Sequence, residues 1–132
     1  MADFANDLVR KISPEGIVSS MFQYKNGWGI DEDGPVSVAQ ANRVTQVTSS
    51  QDGTYVFFTT YGKGGNTLPS LRVVRQGKDV ITLLGNSLTY GDGTGNTAGI
   101  STVGGIAATA DGKTIYISEP GKKVIRKVVY NY

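Results

Sequence analysis

Short runs of β-branched and aromatic residues recur along the chain, and turn residues bound each of them. Runs of about four to eight such residues are typical of β-strands, and no segment shows the period of an amphipathic helix. The pattern predicts strands at 8–12, 17–22, 44–48, 54–60, 71–75, 80–84, 103–108, 113–118 and 124–130. We therefore expect an all-β protein.

Tight turns join several of these predicted strands. Asp52-Gly53 and Asp111-Gly112 fit hairpin turns, because this residue pair tolerates the positive φ that such turns need. The segment 13–16, Ser-Pro-Glu-Gly, has the composition of a turn between 8–12 and 17–22. Successive strands are therefore expected to pair in antiparallel fashion.

The sequence also repeats internally. Moving residues 31–59 by 59 positions places them on 90–118 without a gap. The identical pairs are Asp33/Asp92, Gly34/Gly93, Ala39/Ala98, Val44/Val103, Asp52/Asp111 and Gly53/Gly112. A shift of 116 positions places 8–12 on 124–128, and a shift of 63 places 17–21 on 80–84. Each unit is thus predicted to be a four-stranded antiparallel sheet, and tandem units of this kind are the sequence sign of β-propeller blades.

Composition limits the classes of partner. With 132 residues, 39% of them hydrophobic, the chain has enough apolar material for one modest core. The net charge is only +2, which argues against a nucleic-acid partner. The longest apolar runs, near Val80-Ile81, are too short to cross a bilayer, so no membrane insertion is expected.

The first and last strands resemble NHL repeats, which are blades of β-propellers. The resemblance is carried by Asn6 with LVRKISPEGIVS at 8–19, by GIA at 105–107, and by the strand pair that follows Asp111-Gly112 and includes VIRKV at 124–128. The middle unit departs from the pattern, because it has RVVR at 72–75 and long loops. The resemblance implies an all-β propeller fold with an incomplete ring.

The repeat register suggests how blades divide the chain. We expect one propeller segment over 1–132, with 1–22 as the end of one blade, 23–84 as a full blade and 85–132 as most of a further blade. Ala2-Asp3 aligns with the end of the strand at 113–118, so the chain is expected to start inside a blade. About two blades cannot close a ring, so the remainder of a larger propeller, or self-association, is the expected partner.

Long loops are predicted to gather on one face. In an up-and-down blade the loops after the second and fourth strands share one end of the sheet, here 23–43, 61–70, 85–102 and 119–123. These loops carry the candidate binding residues Tyr24, Trp28, Tyr61 and Tyr90. Exposed aromatic side chains on loops of a rigid scaffold are a common binding surface. The alternative is that the same rings are buried between blades.

Catalysis has little support in the sequence. The chain has no His and no Cys, which excludes histidine- or cysteine-dependent triads and imidazole metal sites within it. The lyases of the NHL class rely on histidine-bound metal, so their activity is not implied here. The consecutive acids Asp31, Glu32 and Asp33 do not provide two carboxylates at a defined separation across a substrate. We expect a protein that is not an enzyme and needs no cofactor.

Three weaker motifs have simpler interpretations. GTGNTA at 93–98 has the spacing of a dinucleotide fingerprint, but a strand rather than a helix is predicted to follow. The acidic runs 31–33 and 92–96 are interpreted as solvated turns rather than Ca²⁺ loops. The basic cluster of Lys122, Lys123, Arg126 and Lys127 is interpreted as protection of a strand edge, with Arg126 and Lys127 part of the blade because Arg10 and Lys11 recur at the equivalent place.

The expected function is therefore binding or scaffolding. The resemblance implies a module of a larger bacterial surface protein, located at the cell surface, outside the cell or in the periplasm, that binds a glycan or a protein. The alternative is a segment of a propeller enzyme whose catalytic residues lie outside this chain.

Overall fold

The computed structural model describes residues 1–23, 30–62 and 68–131. The strands are β1 (Ala2–Asp3), β2 (Leu8–Ile12), β3 (Val18–Ser20), β4 (Gly34–Pro35), β5 (Val44–Ser49), β6 (Tyr55–Thr60), β7 (Ser70–Arg75), β8 (Asp79–Gly85), β9 (Gly105–Ala108), β10 (Thr114–Glu119) and β11 (Val124–Val129). Short 3-10 turns lie at Phe4–Asn6, Gly95–Thr97 and Pro120–Lys122. The described chain has no helix of seven or more residues, so the predicted all-β class is confirmed.

The strands form three antiparallel sheets. The first sheet has the order β1-β2-β3, the middle sheet β4-β8-β7-β6-β5, and the third sheet β11-β10-β9. Strands β5 and β9 thus lie in different sheets, as the repeat predicted. The pattern did not predict β4, because the pair Gly34-Pro35 carries no strand signal. A proline is tolerated there because β4 is an edge strand.

The strand registers show that the internal repeat is structural. Arg72 of β7 is opposite Phe58 of β6, and Arg126 of β11 is opposite Ile117 of β10. Phe58 and Ile117 are 59 residues apart, so the two arginines occupy equivalent positions. Arg10 is in the same place in the first sheet, where its backbone exchanges two 2.8 Å hydrogen bonds with Met1.

One predicted alignment is wrong by a residue. Ser20 pairs with Arg10, and Thr82 pairs with Arg72, so β3 matches β8 at a shift of 62 rather than 63. The apolar letters of β3 fit both shifts, and only the pairing with the neighbouring strand separates them.

Two hydrophobic layers lie on the two faces of the middle sheet. Phe58 and Val74 pack with Val9 of the first sheet. Phe57 and Val73, one residue earlier in each strand, pack instead with Ile115 and other residues of the third unit. Because successive side chains of a strand point to opposite faces, the middle strands read as continuous apolar runs. The middle sheet is therefore covered on both sides.

Candidate functional site

The long loops gather at one end of the sheets. We call the surface formed by 23–43, 61–70, 85–102 and 119–123 the long-loop face. Within its described parts, the Tyr61 N–H donates to the carbonyl of Arg43 at 3.0 Å, which joins two of the loops. The Asn86 N–H donates to the carbonyl of Pro69 at 2.9 Å and joins two more. The antiparallel strand order and these bonds together place the loops side by side.

A buried arginine holds the loop that precedes β5. The guanidinium of Arg72 donates to the carbonyl of Glu32 at 2.8 Å, to the carbonyl of Gln40, and to the carboxylate of Asp33 at 2.8 Å. A further bond of 3.3 Å reaches the carboxylate of Asp31. Arg72 is fully buried. Its planar fork of donors therefore fixes both sides of the loop at once.

The same arrangement recurs one unit later. Arg126 donates to the carbonyl of Gly91 at 2.7 Å, to that of Gly99 at 2.8 Å and to the carboxylate of Asp92 at 2.9 Å. These three acceptors lie 59 residues after Glu32, Gln40 and Asp33. Glu119 supplies the further carboxylate, at 3.1 Å. We call each arginine with its loop acceptors an arginine bracket.

The two brackets differ in the origin of the buried carboxylate. In the middle unit Asp31, in the loop, accepts hydrogen bonds from Arg72 and from the Thr60 hydroxyl at the end of β6. In the third unit the positions are exchanged: Tyr90 replaces Asp31, and Glu119 at the end of β10 replaces Thr60. The Tyr90 hydroxyl lies 3.5 Å from the Glu119 carboxylate. One carboxylate is thus kept beside each arginine although the chain segment that supplies it changes.

The two buried carboxylates have opposite pKa shifts. Burial raises the pKa of Asp31, and this effect outweighs the favourable charge of Arg72. Burial also opposes ionisation of Glu119, but hydrogen bonds from the Ser101 hydroxyl and N–H and from Arg126 outweigh it, so the pKa of Glu119 is lowered. The contribution of Glu119 to stability is therefore present above its ordinary pKa and is lost as the pH falls. That of Asp31 has the opposite sign and weakens as the pH rises.

Two of the four predicted binding residues lie in the described part of the face, and both are half-exposed. Tyr61 is 45% exposed and Tyr90 is 41% exposed. The Lys122 ammonium lies 4.6 Å from the centre of the Tyr90 ring, and the Arg126 guanidinium lies 5.2 Å from it. Cations at this distance attract the face of the ring. Tyr24 and Trp28 lie outside the described residues.

Sequence reasoning missed three apolar residues on the same face. Leu88 is 91% exposed, and Ile30 and Val38 are also exposed. Each is a single apolar residue among polar or glycine neighbours, and a loop has no period that shows which of its side chains faces solvent. The long-loop face therefore presents more apolar surface than its aromatic residues alone indicated.

The interpretation of the acidic run 31–33 as a solvated turn is wrong for Asp31. Its side chain is only 8% exposed, because the Arg72 guanidinium lies against it. Arg126 belongs to the sheet architecture, as its alignment with Arg10 predicted, and β11 is an edge strand. In the described ranges, no group of three or more acidic side chains is placed to hold a metal ion.

No protein-family model matches this chain, and no curated protein is significantly similar to it. None of the helical turns in the described parts of the chain has the length and apolar character needed to span a bilayer.

Proposed function

We propose that the chain is a non-catalytic binding or scaffold module that contacts a protein or a glycan through the long-loop face. In this proposal the chain is a segment of an NHL-like propeller in a larger, bacterial surface protein. The antiparallel repeat units and the stacking of their sheets support the propeller assignment. The resemblance of the first and last strands to NHL repeats supports the family.

The observation that carries the proposal is the exposure of apolar and aromatic side chains on loops that are rigidly held. Tyr61 and Leu88 project from loops whose backbones are hydrogen-bonded to neighbouring loops. A surface that is ordered before it binds loses less entropy on association. Tyrosine contributes a large contact area with few rotatable bonds, which suits both protein hot spots and sugar rings.

The exposed leucine favours a protein partner over a glycan. Leu88 is almost fully exposed. An aliphatic side chain gains most by entering an apolar pocket, which a protein offers, whereas a sugar ring packs on flat aromatic faces. The flat surfaces available for a glycan in the described part of the face are those of Tyr61 and Tyr90.

Alanine variants at exposed positions test the role of this face. We expect Tyr61→Ala and Leu88→Ala each to weaken binding in glycan-array and pull-down assays by about tenfold, the scale of an interface anchor. Tyr116→Ala is the matched control, because Tyr116 is 43% exposed but lies on a strand of the third sheet. Quenching of Trp28, the single tryptophan, reports whether that ring is exposed as well.

The outcomes separate the face from other surfaces. If Tyr116→Ala removes binding while Tyr61→Ala and Leu88→Ala retain it, the long-loop face is not the binding surface. If Trp28 is shielded from the quencher and Trp28→Ala unfolds the chain, the ring is structural and its predicted binding role is wrong.

A further inference from the structure

A groove runs along the outer edge of β11. It has a volume of about 810 Å³. One side is formed by residues 125–129 of β11, and residues 92–95 of the preceding loop also line it, together with 82–84 of β8 in the middle sheet. Among the residues that the structure describes, no strand pairs with this side of β11.

The corresponding place in the middle unit is filled by a strand. There β8 pairs with β7, the equivalent of β11, on one side and with β4 on the other. In β4, Gly34 is opposite Val80 and Pro35 is opposite Asp79. Gly34 and Pro35 correspond, 59 residues later, to Gly93 and Thr94, and both of these line the groove. The groove is therefore bounded by the equivalents of both neighbours of β8.

A carboxylate that anchors β8 has its counterpart in the groove. One Asp33 oxygen accepts the Thr82 N–H at 2.7 Å, and the other accepts the Thr82 hydroxyl at 2.9 Å and the Arg72 guanidinium at 2.8 Å. Asp92 is equivalent to Asp33. Both of its bonds with Arg126 use the single oxygen Oδ1, and its side chain is 95% exposed. Its Oδ2 corresponds to the oxygen that receives the strand N–H in the middle unit.

The backbone of β11 is oriented to pair with an added strand. The Tyr130 N–H donates to the carbonyl of Lys113, on the β10 side. Backbone groups of successive residues in an antiparallel strand point to opposite sides, so those of Ile125, Lys127 and Val129 point to the outer edge. Edge groups of this kind are a template for strand addition.

We propose that the groove beside β11 is an acceptor site for an extended peptide segment, which adds to the third sheet as β8 adds to the middle sheet. The segment is seven residues long, as β8 is. It has apolar residues at alternate positions, and a threonine or serine at the position of Thr82 that donates its N–H to Asp92. Backbone hydrogen bonds give the affinity, and the alternate side chains give the selectivity.

A folded second copy of the chain does not supply this segment. In each copy β8 is already held between β7 and β4. The equivalent strand of the first sheet, β3, is at an edge but has only three residues. An unfolded, extended segment of another polypeptide is therefore the occupant that fits the groove.

A peptide with the sequence of residues 78–86 is the probe. We expect the fluorescein-labelled peptide to bind the chain in an anisotropy titration. N-methylation of its Thr82 amide removes only the donor to Asp92 and is expected to weaken binding by about tenfold, because this hydrogen bond reaches a charged acceptor. Asp92→Ala in the chain is expected to have a similar effect.

A pair of variants at one edge position tests strand pairing itself. Lys127→Pro removes an N–H from the outer edge, whereas Lys127→Ala removes the side chain and keeps the N–H. We expect the proline variant to bind the peptide about tenfold more weakly than the alanine variant. Thermal unfolding of both variants checks that the third sheet is intact.

Two results would overturn the proposal. Equal peptide binding by the Lys127→Pro and Lys127→Ala variants would show that the edge of β11 is not the acceptor. Sedimentation that reveals a dimer of the wild-type chain, lost in the proline variant, together with no binding of the peptide, would show that the occupant is a second copy.

Discussion

Replacing Arg72 with methionine is expected to lower the free energy of unfolding by about 3–5 kcal/mol, the range for removing one partner of a buried ion pair. The variant leaves the buried Asp31 carboxylate without its cation and the carbonyls of Glu32 and Gln40 without their donor. Urea denaturation followed by circular dichroism measures the change.

Arg75→Met is the matched control for this prediction. Arg75 is on the same strand and pairs with Asp79, but both side chains are partly exposed. Exposed ion pairs contribute about 0–1 kcal/mol, so we expect a small effect. Equal losses in the two variants would contradict a special role for the arginine bracket. Adding Asp31→Asn to Arg72→Met removes the buried charge and is expected to recover part of the loss.

Phe57→Ala is expected to destabilise the fold by about 3–5 kcal/mol, as other truncations of fully buried phenylalanines do. Phe57 is completely buried between the middle sheet and the third sheet. Its equivalent 59 residues later is Tyr116, on the outer face of the third sheet. Tyr116→Ala is expected to cost about 1 kcal/mol or less, because this ring is half-exposed.

The comparison of Phe57 with Tyr116 tests the stacking of sheets rather than one contact. Both side chains occupy the same place in the repeat, and only the presence of a covering sheet separates them. A large loss of stability in Tyr116→Ala, measured by thermal unfolding at low protein concentration, would show that the outer face of the third sheet is covered in solution.

Most strands were predictable because their residues carry a local signal. The runs at 54–60 and 113–118 are rich in β-branched and aromatic residues, and the strands Tyr55–Thr60 and Thr114–Glu119 lie within them. The alignment of Ala2-Asp3 with the end of the strand at 113–118 likewise predicted that this segment is a strand, and β1 pairs with β2. Local patterning thus gave the strands and their order.

The arginine brackets were not predictable, because their parts are far apart in the sequence. Arg72 and Asp31 are 41 residues apart. The identity of Asp33 and Asp92 in the self-match was a signal, but it did not indicate which cation they meet. The exchange of Asp31 for Glu119 as the carboxylate beside the arginine breaks the sequence match while it preserves the interaction. Only tertiary structure shows such a substitution.

The binding residues were predictable in type but not in number. Tyr61 and Tyr90 were identified because aromatic side chains in glycine-rich loops have no strand to pack in. Leu88 has the same exposure but a residue type that is usually buried. Its place on the surface depends on how the loop from 85 to 102 is held by Arg126, which the sequence does not show.

The central claim is that two equivalent arginine brackets hold the long loops in fixed positions, and backbone amide exchange measures this most directly. The N–H groups of Asn42 and Ser101 donate to the carboxylates of Asp31 and Glu119. Both amides are predicted to exchange slowly in the wild-type chain, and Arg126→Met is predicted to speed exchange over 90–101 while 31–42 stays protected. Rapid exchange at both amides in the wild-type chain, or no change in Arg126→Met, would contradict the account.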